Sequence, residues 1–320
     1  MYWNCAGPGH YSGVMDTSSS SRGLALGVLG VFIFALSIPM TRLASGSAAD
    51  PQLPALFVAI GRAAVAGLLA AAYLAAVRAP WPRAAQWPRL ALTAAGVVFG
   101  WPLFLGWAVL RVDAIHASVI SGVLPLATAA VGAWALRQRP SPGFWACALL
   151  GCALVVGFAA WRGGSGLQLA DGLLLLAVLS AAIGYVSGAR LSGEIAPQQV
   201  ISWVLVMSLP LTVPVAIAAW PSEPVRASAW GGFAYVAVFS MWLGFFAWYR
   251  ALALGGTVRV SQVQLLQPFL SMLLAVPLLG ESLDAATAVF ALAVMATVAL
   301  AKRMPVNTSN VPVGVAHART

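Results

Sequence analysis

Of the 320 residues, 61% are hydrophobic and only 8% are charged, at a mean hydropathy of +0.90. A soluble domain carries about a quarter charged residues, so the composition excludes a water-soluble globular fold and predicts an all-α polytopic membrane protein. The net charge of +9 gives no support for a nucleic-acid partner, because no basic cluster is interleaved with aromatics and the Arg residues sit between apolar stretches.

The first 21 residues are polar and rich in Gly and Ser, and read as a disordered tail, with Met15 as an alternative start. A bilayer core about 30 Å thick takes about 20 helical residues to cross. Ten segments qualify: residues 23–43, 54–77, 90–110, 114–136, 144–161, 172–191, 200–220, 230–252, 258–279 and 285–301. The loops between these segments one to ten are short and leave no soluble domain. Segment one is longer than a signal-peptide core and is expected to be retained. Residues 304–320 read as a second disordered tail.

Segment nine carries Ser261, Gln264, Pro268 and Ser271 at steps of three, four and three, which share one helical face. Segment four carries Ser118, Ser121, Pro125 and Thr128 at the same steps, each 143 residues earlier. A proline removes one N–H and displaces the carbonyl four residues before it, here those of Ser121 and Gln264. In lipid a freed carbonyl needs a partner, so such a break belongs where protein or a watery cavity supplies one. Two copies at a constant offset predict a duplicated chain, residues 22–161 and 162–303, with five segments in each half.

Five is odd, so the second half must enter the membrane upside down. With the N-terminus inside, the inner loops and tails hold Arg22, Arg78, Arg83, Arg89, Arg137, Arg139, Arg190, Arg250, Arg259, Lys302, Arg303 and Arg319. The outer loops hold only Arg42, Arg111, Arg162 and Arg226. That bias of twelve to four predicts an N-in, C-in topology. The offset also carries the inner link Arg137-Gln138-Arg139 onto an outer link with Glu281 and Asp284, so equivalent positions have opposite charge. Inverted-topology repeats are characteristic of secondary transporters, with the substrate near the midplane between the halves.

With this layout, SGVLPLATAAVGAWALRQRPS in the first half and WYRALALGGTVRVSQVQLLQPFLSMLLAVPLLGESL in the second resemble EamA-type members of the drug/metabolite transporter superfamily. The resemblance spans residues 23–303 and rests on the prolines of segments four and nine, on Gly280-Glu281 and on Arg62. The chain departs from it at Arg137-Gln138, where the family often has Gly-Glu. The resemblance implies two inverted four-helix bundles around a central cavity, with segments five and ten peripheral. It also implies alternating-access transport of small metabolites or amphipathic compounds, usually export, across the cytoplasmic (inner) membrane. An uptake permease of the same fold is the alternative; a membrane-embedded enzyme is a more distant one. A monomer and a homodimer are both compatible.

Arg62 is the only ionisable residue near the middle of a segment, and an intramembrane charge marks a functional site by default. Its planar fork suits a substrate carboxylate; the alternative is a structural guanidinium satisfying carbonyls freed at Pro125 or at other helix ends. The stripe residues Ser118, Ser121, Pro125, Ser261, Gln264 and Pro268 are expected to line the cavity, or else to join helices by hydrogen bonds. Gln262 and Gln267 fall off the stripe and are unassigned. Trp101 and Phe104 in segment three, with Trp242, Phe245 and Tyr249 in segment eight, offer stacking surface for a ligand or ordinary packing. The pairs Gly23/Gly27, Gly96/Gly100 and Gly184/Gly188 permit close helix approach.

His10, His116 and His317 are scattered, and Cys5, Cys147 and Cys152 lack metal-ligand spacing, so neither a metal nor another cofactor is expected. No P-loop or hydrolase motif is present. All eight carboxylates fall in loops or tails, which leaves Glu281 as the candidate for proton coupling. Its alternative role is to cap the turn into segment ten.

Overall fold

A chain crossing lipid must satisfy its backbone polar groups internally, which helices do. The computed structural model describes residues 17–135, 139–162, 168–255, 263–304 and 306–307. Among them, eight helices are long and apolar enough to cross a membrane: Arg22–Ser45, Phe57–Ala76, Ala84–Ala108, Ala114–Ala135, Pro142–Trp161, Leu169–Leu191, Pro197–Ala218 and Ala227–Ala251. These are segments one to eight, with ends within a few residues of those read from the sequence. Two shorter apolar helices follow, Gln267–Leu279 and Ala285–Ala301, within segments nine and ten. The chain is a polytopic, all-helical protein, apart from a two-residue pairing of Arg139–Pro140 with Val306–Asn307. Arg137, Gln138, Arg259 and Ser261 lie outside the described residues, as do the three positions Cys5, His10 and His317 and most of both tails.

Several helices are interrupted. Segment four breaks at Gly122 and Val123, between Ala114–Ser121 and Leu124–Ala135, immediately before Pro125. In segment nine a turn of 3-10 helix, Val263–Leu266, precedes the α-helix Gln267–Leu279, with Pro268 in its first turn. There proline's missing N–H is one that the helix would leave unbonded anyway. Segment one breaks at Leu36, where Pro39 has no N–H to return to the Ala35 carbonyl. Segments two, three and eight contain π-helical stretches, Phe57–Gly61, Ala94–Gly100 and Val236–Leu243. The second of these is followed by Pro102, which cannot bond the Val98 carbonyl. Such π turns change which side chains share a face, and they concentrate at functional sites.

Packing brings segment one against eight and nine, and segment six against three and four. Segment two packs on seven, four on nine, and five on ten. Spans three and six approach so closely that a Cβ on Gly96 would lie 2.4 Å from the Ser180 carbonyl and 2.7 Å from Gly184 Cα. Gly96/Gly100 and Gly184 thus act as the sequence suggests, and Gly188 makes room for the Tyr249 hydroxyl. Segment five is the least enclosed span, with 28% of its apolar window buried against at least 44% for the other seven. It presents Leu149 and Leu150 outward, where lipid would cover them.

Candidate functional site

The breaks of segments four and nine face each other. Ser118, Ser121, Leu124 and Pro125 of one, with Gln264, Gln267, Pro268 and Ser271 of the other and Ile38 of segment one, line a narrow, partly open space of about 290 Å³ with little room for anything larger than water. Ser118 Oγ lies 2.6 Å from the Ala114 carbonyl and 2.9 Å from Ser271 Oγ. With one hydroxyl hydrogen it donates to one and accepts from the other. The stripes therefore do both things weighed for them: Ser118 joins the two helices, while Ser121 Oγ is buried without a partner at the cavity wall.

A second space, of about 370 Å³, lies on the other side of Gln267, which lines both. Its walls are Phe34 and Ser37 from segment one, Arg62 from two, Val97 and Trp101 from three, Ala181 and Tyr185 from six, and Ser240, Met241 and Phe245 from eight. The walls stand close together, leaving a lumen wide enough for water rather than for a metabolite. Ser37 and Ser240 hydrogen-bond to each other across it.

Arg62 is 2% exposed and begins the regular helix that follows the π turn of segment two. Its Nη2 donates to the Met241 thioether at 3.5 Å, a weak acceptor, while Nε and Nη1 have no partner. No carbonyl accepts from it among the described residues.

Of the other sites expected from sequence, Trp101, Ser118, Ser121, Pro125, Gln264 and Pro268 line one or other space. Phe104, Trp242 and Tyr249 line neither, which agrees with ordinary packing, the second of the two roles weighed for them. Phe104 lies about a turn beyond Trp101, packed on the core. Trp242 donates from Nε1 to Ser202 Oγ at 3.2 Å and packs edge-on against Tyr73 and Phe246. Tyr249 is buried with its hydroxyl against Gly188. Tyr249 shares a face with Phe245, their rings 5.5 Å apart, but lies a turn further along the helix; Trp242 lies within the preceding π stretch, bonded i to i+5, which turns Ser240 and Met241 inward instead.

Gln267 was missed for a similar reason. In a 3-10 turn, positions three apart eclipse each other, so the turn at Val263–Leu266 brings Gln267 over Gln264. Ser37 had a legible signal, since Pro39 marks a break in segment one as Pro125 does in segment four. Ser240 had none.

The carboxylates also correct the sequence. Glu281 does not cap segment ten: Asp284 does, accepting from Thr287 N at 2.8 Å and from Thr287 Oγ1 at 2.9 Å. Glu281 instead reaches the start of segment four, where Oε1 accepts from Ala114 N at 2.7 Å and Oε2 from Ile115 N at 2.8 Å. Beside it opens a wide vestibule of about 820 Å³ whose charged lining is Arg42, Asp50, Asp113, Arg226 and Glu281. Asp171, in the first turn of segment six, is buried rather than free in a loop. One of its oxygens holds His116 Nε2 at 2.7 Å and the other accepts from Gln168 N at 2.8 Å.

Acid–base ties join the halves at both ends of the bundle. Asp50, between segments one and two, pairs with Arg226 before segment eight. Glu194, between six and seven, accepts from Gln86 at 3.2 Å and pairs with Arg89, both in the first turns of segment three. The Gln86 and Arg89 donors hold the Glu194 carboxyl below the usual carboxylate range.

The EamA-like transporter family model matches the chain twice, over residues 21–159 and 168–302. A relative named as an uncharacterized transporter, YdeK of Bacillus subtilis (strain 168), is 41% identical over 288 residues, which are 89% of this chain and 99% of the relative. The chain belongs to the EamA-like transporter family and is a multi-pass membrane transporter. A solved structure described only as the crystal structure of a protein is 20% identical with a TM-score of 0.61, covering 89% of this chain and 99% of its own. That likeness concerns the fold.

Proposed function

We propose that this chain is an alternating-access transporter of small organic metabolites or amphipathic compounds, built as two inverted five-helix repeats in the cytoplasmic membrane. The observation that carries this reading is the paired break at Pro125 and Pro268, where both halves contribute polar wall to one interior space. Several element starts keep the 143-residue offset: Trp101 and Gly244, Leu124 and Gln267, Pro142 and Ala285. The contacts keep it too, since exchanging the halves turns the packing of one on eight into that of six on three. The ties at Asp50–Arg226 and Glu194–Arg89 join corresponding links of the two halves, though not at the 143-residue offset itself. On this reading the repeats are residues 22–161 and 162–303, Glu281 and the vestibule face outward, and Glu194 faces the cytoplasm.

Substrate occupies the space between Arg62, Trp101, Ser121, Gln264 and Gln267 as the walls part. Export is the direction that the family resemblance implies, and uptake through the same fold is its alternative. Movement down the substrate's own gradient or by exchange suits a cavity whose described lining holds no carboxylate or histidine.

The test needs no substrate. In a chain with Cys5, Cys147 and Cys152 replaced by Ser, Ser121→Cys is expected to react with a membrane-impermeant maleimide applied from either side in turn. Leu149→Cys, which is 71% exposed on the outer surface of segment five, should react from neither. Equal silence at both positions would make the cavity a sealed packing seam and end the alternating-access reading.

A further inference from the structure

We infer that the cavity at Arg62 binds a small organic monocarboxylate, its carboxylate on the guanidinium and its apolar body on the aromatic wall, and that it rejects the corresponding amines. This rests on the transport reading and narrows it to a substrate class.

A guanidinium buried in lipid is costly unless hydrogen-bonded and paired with a counter-charge. Among the described residues Arg62 has neither: its one hydrogen-bond contact is the Met241 sulfur, and Nε and Nη1 are buried and unpartnered. Its residue-level exposure of 2% and its place in the cavity lining put those donors where an entering ligand meets them. A carboxylate is planar and accepts from two donors at once, which matches the geometry of the guanidinium fork.

The charge count sets the rest of the class. Among the described lining residues Arg62 is the one ionised group, so a monoanion neutralises the site and a dianion overcharges it. No carboxylate stands among the described lining to receive an ammonium, so an amine or a zwitterion leaves its cation without an ionic partner in a largely apolar site. Phe34, Val97, Trp101, Ala181 and Phe245 form an apolar wall that favours an organic body over an inorganic anion. Ser37, Ser240, Tyr185 and Gln267 add donors that suit a second polar substituent.

Three probes on one skeleton test this by equilibrium binding to the purified full chain: 3-phenylpropanoate, phenylalanine and phenethylamine. The wild type is expected to bind 3-phenylpropanoate and to favour it over the other two by about tenfold or more, the worth of a charge-assisted pair. Arg62→Lys should weaken it and Arg62→Gln should abolish it. Should Arg62→Gln fail to fold, Met241→Glu decides, because it offers Arg62 an internal carboxylate at the present sulfur position and should also abolish binding. Binding of 3-phenylpropanoate that survives either Arg62→Gln or Met241→Glu overturns the inference, and so does preference for phenethylamine or no binding by the wild type. None of these results touches the thiol-access experiment, so the substrate class can fail while transport stands.

Discussion

Gly96→Val is expected to abolish recovery of folded protein, while Gly157→Ala leaves it unchanged. At Gly96 a side chain would meet Ser180 O at 2.4 Å and Gly184 N and Cα at 2.7 Å, all of them backbone. No rotamer change relieves such a contact, so segments three and six must separate, at a cost on the order of 3 kcal/mol or more. The damage spreads because segment three carries Val97 and Trp101 to the cavity and segment six carries Ala181 and Tyr185. A Cβ at Gly157 would meet nothing within 4 Å. The measurement is the monodisperse fraction after extraction, together with the thermal midpoint. A Gly96→Val protein as stable as wild type would contradict the close crossing.

Glu281→Ala is expected to open the vestibule. The carboxylate satisfies the first amides of segment four from the end of segment nine, a capping interaction worth about 0.5–2 kcal/mol. Burial pushes its carboxyl above the usual carboxylate range, against the opposing pull of the Ala114 and Ile115 amides; Asp113 raises it further and Arg42 lowers it. The sign follows by linkage. A hydrated Glu281 in an opened vestibule would titrate in the ordinary range, so the tied state holds the proton more tightly and acidification favours it. Glu194 has the opposite sign: its depressed carboxyl keeps its tie above the ordinary range and loses it as pH falls. Spin labels at Ser47→Cys and Leu278→Cys, across the vestibule, should report longer distances in Glu281→Ala. In wild type the distances should shorten on acidification just above the ordinary carboxylate range. Glu281→Gln should remove that response. A response that persists in Glu281→Gln would place the proton elsewhere.

What the sequence made legible divides along a physical line. Segments one to eight were readable because bilayer thickness fixes helix length, and Pro125 marked its break because a missing N–H is a local fact. The Pro268 break showed only half of its consequence, since the turn before it is 3-10 and carries Gln267 inward. Trp242 was misplaced because constant helical periodicity was assumed across Val236–Leu243, where the backbone is π-helical, whereas Tyr249 keeps its face with Phe245 and lies a turn beyond the space. The cap considered for Glu281 is made by Asp284 instead, because capping depends on which helix start lies nearest in space, and segment four, which Glu281 reaches, is far away in sequence. Arg62 was legible as an anomaly, but its unpartnered nitrogens were not, because they reflect what every neighbouring segment fails to supply.

The proposed inverted repeat would account for the cavity, the two ties and alternating access together, and reporter fusions test it most directly. Fusions after Arg139 and after Asp284 sit at nearly equivalent positions of the two halves. The first should report the cytoplasm and the second the outside, and a fusion after Arg303 should report the cytoplasm again. If Arg139 and Asp284 report the same side, the halves are not inverted and the account fails.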